Sequence, residues 1–241
     1  MIGKISSNYS PNFSPKKRII KNIKFIILHY TGMKSEKKAI KRLSDVKSKV
    51  SCHYFIKKNG KIILMVPEIF EAWHAGKSKW KKFNSLNKYS IGIEIQNYGH
   101  NHGYQHYNRL QLSSIYKILN YLKQRYKIKK NNILGHSDIS FDRKSDPGEN
   151  FPWYRLSRKK LSIWHNLSEK DLKLLRNQNT SNQEKKKFFQ YLKKIGYSFN
   201  YLSPKLKSLL TKAFQMRFRQ CQVDGKVDKE TLQIAKKVSK T

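Results

Sequence analysis

The stretch GHSDISFDRKSDPG, Gly135 to Gly148, sets a histidine, a lysine and an aspartate with opposite chemistry into one loop behind a short apolar run. A second apolar run, Phe25 to Leu28, delivers His29 at its carboxyl end, with Tyr30, Thr31 and Gly32 behind it. Each piece alone has a plain structural reading. Asp-Pro-Gly is a turn sequence, because proline fixes φ and glycine accepts positive φ, and His136 reads equally well as a satisfied structural histidine. Two strand-end histidines and one loop carboxylate nevertheless make a three-ligand set: His29, His136 and Asp146. Neutral imidazoles and a carboxylate are the donors of a catalytic zinc site, which keeps its fourth position open for water or substrate. The two cysteines, Cys52 and Cys221, stand far apart and in no CxxC pattern, so neither a cysteine-built zinc site nor a disulfide framework is expected.

The patterning around these residues predicts an α/β fold, a mixed central sheet flanked by helices, with a small C-terminal three-helix domain. Residues 1–22 read as an extended lead-in and Lys24 to His29 as a buried strand. Glu36 to Lys47 suits a helix with Ala39, Leu43 and Val46 on its apolar face. Cys52 to Ile56 and Ile62 to Val66 form a hairpin through Lys57-Lys58-Asn59-Gly60, since Asn-Gly supplies the positive φ that a tight turn needs. Lys77 to Tyr89 reads as a surface loop. In Ile91 to Ile95 the isoleucines share one face and Gly92 and Glu94 the other, which leaves room beside Glu94. Arg109 to Tyr126 is the longest helix candidate, with Leu112, Ile115, Leu119 and Leu122 as its core stripe.

From Asn166 to Gln183 the composition turns polar and reads as a linker. Beyond it, 184–195, 205–218 and 228–238 read as three short helices, broken at Gly196 and Asp224-Gly225. The expected organisation is therefore a first domain at 1–165, a linker at 166–183 and a helical domain at 184–241. On that reading a chain cut near Gln183 keeps its fold.

Charge raises a different class of partner. With 52 basic and 15 acidic residues the chain carries +37, enough to make nucleic acid or an anionic surface a candidate. The density is similar on both sides of the linker, and no helix-turn-helix or stacked-aromatic motif stands out. No specific nucleic-acid partner is expected. No run approaches the roughly 18 apolar residues of a membrane span. The opening MIGKISSNYSPNFSPKKRIIKNIKF carries charges where a cleaved signal would be apolar.

Six motifs in one order give the chain a family likeness: FIILHYT (25–31), SCHYFI (51–56), AWHAG (72–76), SIGIEIQN (90–97), ILGHSDI (133–139) and RKSDPG (143–148). Together they resemble the zinc N-acetylmuramoyl-L-alanine amidases of the type-2 amidase and peptidoglycan-recognition-protein superfamily, over roughly residues 20–155. The tail AFQMRFRQCQVDGKVDKETLQIA (213–235) is similar to the three-helix peptidoglycan-binding module found behind some of these enzymes. The resemblance implies that His29, His136 and Asp146 bind one Zn2+ per chain, that Glu94 is the catalytic carboxylate and that Lys144 stabilises the developing oxyanion. It implies peptidoglycan or muropeptide fragments as substrate and a role in cell wall degradation.

The chemistry is consistent with those roles. A carboxylate near an activated water can take its proton and pass it to the leaving amine, and a cation can hold the tetrahedral oxyanion. Glu94 otherwise reads as an ordinary glutamate, and Lys144 as one lysine among many. His53, Trp73, His74 and Asn97 are the substrate-binding candidates; His53 and His74 read equally as structural histidines. Trp73 and Trp80 suit either stacking on substrate or buried anchoring. His100, His102 and His106 read as a solvated loop. Two rival functions remain: a muropeptide-recognition protein of the same fold without catalysis, and a basic nucleic-acid-binding protein. The wall-binding-like module suggests the cell envelope, periplasm or secretion; the lack of a visible signal makes the cytoplasm the alternative.

Overall fold

Alternation in Ser90–Ile95 and near-continuous burial in Phe25–Tyr30 produce two adjacent interior strands of the sheet. A computed structural model of the chain describes residues 5–241, so the first four residues of the expected lead-in and first domain lie outside it. The strands are β1 (Ser6–Ser7), β2 (Phe13–Ser14), β3 (Phe25–Tyr30), β4 (Tyr54–Ile56) and β5 (Ile62–Leu64), then β6 (Glu71–Ala72), β7 (Lys79–Trp80), β8 (Phe83–Asn84), β9 (Ser90–Ile95) and β10 (Ile133–Gly135). The α-helices are α1 (Glu36–Ser44), α2 (Arg109–Arg125), α3 (His136–Ile139), α4 (Trp153–Arg158), α5 (Glu169–Leu175), α6 (Asn182–Ile195), α7 (Pro204–Phe218) and α8 (Lys229–Val238).

The main sheet runs β1-β5-β4-β9-β3-β10, with the β4–β5 hairpin antiparallel and its other pairings parallel. The hairpin turns where the Asn-Gly signal put it: Gly60 has φ +82° and its N–H donates to the Lys57 carbonyl at 3.0 Å. Register then sets the chemistry. His29 pairs with Glu94, and Leu28 with Gly135, so β3, β9 and β10 deliver His29, Glu94 and His136 at the same, carboxyl-terminal end of the sheet. Open α/β sheets place their ligands at that end.

The two faces of the sheet are covered by different parts of the chain. On one, Ile26, Leu28, Ile91, Ile93 and Ile95 pack against the Leu112, Ile115, Ile118, Leu119 and Leu122 stripe of α2. On the other, Phe25, Ile27 and Leu134 share a core with Phe188, Leu192, Tyr197, Phe214, Phe218 and Ile234 of the C-terminal helices. Each such fully buried side chain contributes about 2 kcal/mol. The C-terminal helices therefore complete the sheet's second core instead of closing on a core of their own.

Three local expectations are corrected. The polar segment 166–183 is not an open linker: it contains α5, whose Leu172 is 2% exposed in the shared core. Asn177 N–H there donates to Asp228 at 2.9 Å, and Asn179 bridges to the same residue. The side chains are polar, but the backbone is held. The surface loop expected at 77–89 is a β7–β8 turn and a 3₁₀ helix, with Trp80 and Leu86 buried; Trp80 stacks edge-on against Tyr197 at 4.9 Å. Helix α1 stops at Ser44 because Asp45 caps a separate 3₁₀ turn, which leaves Val46 65% exposed.

Candidate active site

Three side chains converge where β3 and β10 end. His29 is the penultimate residue of β3, His136 opens α3 directly after β10, and Asp146 follows on the next loop. All three are buried, and their Nδ1, Nδ1 and Oδ2 atoms lie within 3.1 Å of one another: His29 to Asp146 2.9 Å, His29 to His136 3.0 Å, His136 to Asp146 3.1 Å. They form a group able to hold a metal ion.

The hydrogen-bond network around them fixes which atoms carry protons. Ser90 gives its only hydrogen to the Leu86 carbonyl at 2.6 Å, so its oxygen accepts from His74 Nε2 at 3.1 Å. Neutral His74 then presents Nδ1 as an acceptor, and His29 Nε2–H donates to it at 3.0 Å. His29 Nδ1 is left as a lone pair. His136 Nε2–H donates to the Ala75 carbonyl at 3.2 Å, which leaves its Nδ1 as a lone pair as well. Burial drives the His29 imidazole down to about 4, aided by His136, and drives His74 well below its ordinary value. The centre is thus two imidazole lone pairs and a carboxylate oxygen facing one another, an acceptor-only set suited to holding a cation.

Glu94 and Lys144 line the same cavity, about 520 Å³ in volume, with His29, His136 and Asp146. Glu94 Oε2 is buried and has no hydrogen-bond partner among the described residues. Burial, together with the Asp146 charge, holds its carboxyl well above the ordinary range. The room that Gly92 leaves beside it is taken by the His74 ring, into which any side chain at that position would run. The ligand loop is braced from below: Arg143 Nη2 donates to the Ala75 and Lys77 carbonyls at 2.8 and 2.7 Å.

A family model for N-acetylmuramoyl-L-alanine amidase matches residues 20–149, more than half of the chain and every residue of this cluster. The chain is 32% identical over 226 residues to the N-acetylmuramoyl-L-alanine amidase AmiD of Escherichia coli, covering 88% of this chain and 81% of that protein. This chain belongs to the N-acetylmuramoyl-L-alanine amidase family. Its activity is hydrolysis of the amide between N-acetylmuramoyl and L-alanine. The amidase is also 40% identical over 108 residues to 1,6-anhydro-N-acetylmuramyl-L-alanine amidase AmpD of Haemophilus influenzae, covering 44% of this chain and 56% of that protein. Its fold matches AmiD, solved with anhydro-N-acetylmuramic acid-L-Ala-D-gamma-Glu-L-Lys, with a TM-score of 0.80 at 29% identity, covering 93% and 91% of the two chains. AMPDH3 from Pseudomonas aeruginosa, solved with an anhydromuramic pentapeptide, matches with a TM-score of 0.79 at 28% identity over 98% of this chain and 97% of that one.

Of the four substrate-binding candidates, Trp73 and His74 line the amidase's cavity and the other two do not. His53 is fully buried behind the site, where its Nδ1 accepts from Gly92 N–H at 3.0 Å and its Nε2 lies 2.9 Å from Arg18. Asn97 shapes the next loop, donating to the Gln105 carbonyl at 2.8 Å. The sequence reading missed Tyr30, which lines the cavity and whose hydroxyl meets Ser145 at 3.1 Å and His100 at 2.9 Å. Its position directly after His29 was the available signal. His100, expected in a solvated loop, reaches Glu149 at 3.0 Å and so ties that loop to the ligand loop.

Proposed function

We propose that His29 Nδ1, His136 Nδ1 and Asp146 Oδ2 hold one zinc ion and that the amidase cleaves its substrate with Glu94 and Lys144 as the working side chains. The observation that carries this reading is the acceptor-only trio: among the described residues no lysine or arginine pairs with Asp146, whose side-chain partners are the two imidazoles. Bound there, zinc supplies a Lewis acid and an acidified water at neutral pH. Glu94 faces the same cavity with an unpartnered oxygen; it takes the proton of the attacking water and delivers it to the departing alanine nitrogen. Lys144 supplies positive charge to the carbonyl oxygen as it becomes an oxyanion. His74 holds His29 in its ligating tautomer. Trp73, at the rim, offers an apolar surface for sugar or peptide.

Muropeptide fragments of the kind seen with AmiD and AMPDH3 are the substrates we infer for this chain. Residues 184–241 keep their likeness to wall-binding modules, and retention on peptidoglycan in the cell envelope belongs to the same proposal. Mass spectrometry of products from a defined muropeptide tests the whole reading. It should return a free muramic acid and a peptide beginning with L-alanine, in a reaction that stops when metal is removed. Tight binding without products would favour the recognition-protein alternative.

A further inference from the structure

Ile19 and Ile20 stand side by side at 60% and 49% exposure, just ahead of β3. Beside them runs a groove of about 430 Å³ in which five of the nine lining residues are basic, Lys21, Lys24, Arg125, Lys127 and Lys129, and none is acidic. Arg125 is answered by Glu68 at 3.1 Å, whereas none of the four lysines takes part in an ion pair among the described residues. Exposed Lys16 and Lys17 extend the same charge along the lead-in. Two adjacent exposed isoleucines thus stand beside a groove that carries four unpaired lysines.

Position gives the patch its meaning. Lys24 precedes β3, Asn132 precedes β10 and donates to the Lys24 carbonyl at 3.0 Å, and Arg125 ends α2. The patch therefore caps the amino-terminal end of the strands, while His29 and His136 lie at their carboxyl ends. A six-residue strand separates the two by roughly 20 Å. The occupant follows from the chemistry. A nucleic acid would satisfy the lysines through its phosphates and gain nothing from exposed isoleucines. An anionic bilayer satisfies both: apolar side chains enter the boundary between headgroups and acyl chains, and lysines rest at the negative surface.

We propose that this end of the amidase is a peripheral docking surface for an anionic phospholipid bilayer. Ile19 and Ile20 enter the headgroup boundary, and Lys21, Lys24, Lys127 and Lys129 lie over the lipid phosphates. Docked in this way, the catalytic cavity opens away from the lipid. The inference is independent of the zinc reading.

Co-sedimentation of the full chain with phosphatidylcholine vesicles, with and without phosphatidylglycerol, tests it. Three variants separate the patch from the overall charge: Ile19→Ser with Ile20→Ser; the four patch lysines changed to Gln; and Lys185, Lys186, Lys187 and Lys194 on α6 changed to Gln as a charge-matched control. All replaced residues are exposed, so thermal midpoints should stay unchanged. The patch quadruple should lose on the order of 10²-fold or more in partition onto anionic vesicles, about fivefold per lysine, and the α6 quadruple far less. The isoleucine pair should lose partition at unchanged net charge. Equal losses in the two quadruples would overturn the proposal, as would an isoleucine variant that sediments like the parent. So would duplex DNA that displaces the protein from vesicles and binds parent and isoleucine variant alike.

Discussion

Two buried carboxylates lie on the same short segment of this amidase and are neutralised in opposite ways. Asp138, 1% exposed, is answered from within the chain: Arg217 pairs with Oδ2, Gly135 N–H donates to the same atom at 2.8 Å, and the Tyr197 hydroxyl donates to Oδ1 at 2.6 Å. Asp146, 6% exposed, has the imidazoles of His29 and His136 as its side-chain partners among the described residues. A buried anion without a cation costs several kcal/mol. Burial does not distinguish the two aspartates; the presence of a resident positive partner does. Asp138 is a joint between α3 and the C-terminal helices, and Asp146 belongs to a group able to hold a metal ion.

The largest expected effect comes from removing the unanswered carboxylate. Asp146→Ala should lose the metal and bring turnover down to background, while the metal-free protein unfolds at the same or higher denaturant, because no internal pair is broken. Metal content, turnover and a urea curve check the three parts. Asp146→Ala with normal turnover would end the contrast.

Breaking the answered carboxylate should do the reverse. Arg217 is 2% exposed, also donates to the Ile133 carbonyl at 3.0 Å and lies 4.5 Å from the Trp153 ring. Arg217→Met strands a buried charge and should cost about 3–5 kcal/mol in urea unfolding. Cutting the chain after Gln183 removes Arg217, Tyr197 and the apolar cover of Phe25, Ile27 and Leu134 together. The product should fail to fold, contrary to what the polar segment 166–183 suggests by composition. A soluble, cooperative fragment would show that the joint is dispensable.

The strand-end histidines, the Asn-Gly hairpin and the Glu94 face were legible because each depends on local periodicity, and the six ordered motifs carried the family. What stayed hidden depends on contacts between distant residues. Asp138 looks like a residue of an ordinary helix start, and its partner Arg217 stands far along a chain crowded with basic residues. Trp80 sits among lysines and serines, yet it is buried against Tyr197 and Gly196. His53 shares a motif with the site but spends its imidazole on Gly92 and Arg18. Polar composition misled at 166–183 because backbone hydrogen bonds to Asp228 hold that segment regardless of its side chains.

Two smaller effects sharpen the account of the cavity. Glu94→Gln and Lys144→Ala should keep the metal and lose on the order of 10²-fold in kcat with little change in KM; a variant with near-normal kcat loses its assigned role. His74→Ala frees the His29 tautomer and should weaken metal affinity about 10- to 100-fold, read by competition with a chelator. Loss of stability with unchanged affinity would make His74 a packing residue only.

If one cation completes the His29, His136 and Asp146 set, the amidase should work only with that cation bound. Titrating zinc into chelator-stripped protein while following hydrolysis of a soluble muropeptide tests it most directly. Activity should rise from background and saturate at one equivalent per chain. Full turnover in the stripped protein, or a plateau reached only at two equivalents, would contradict it.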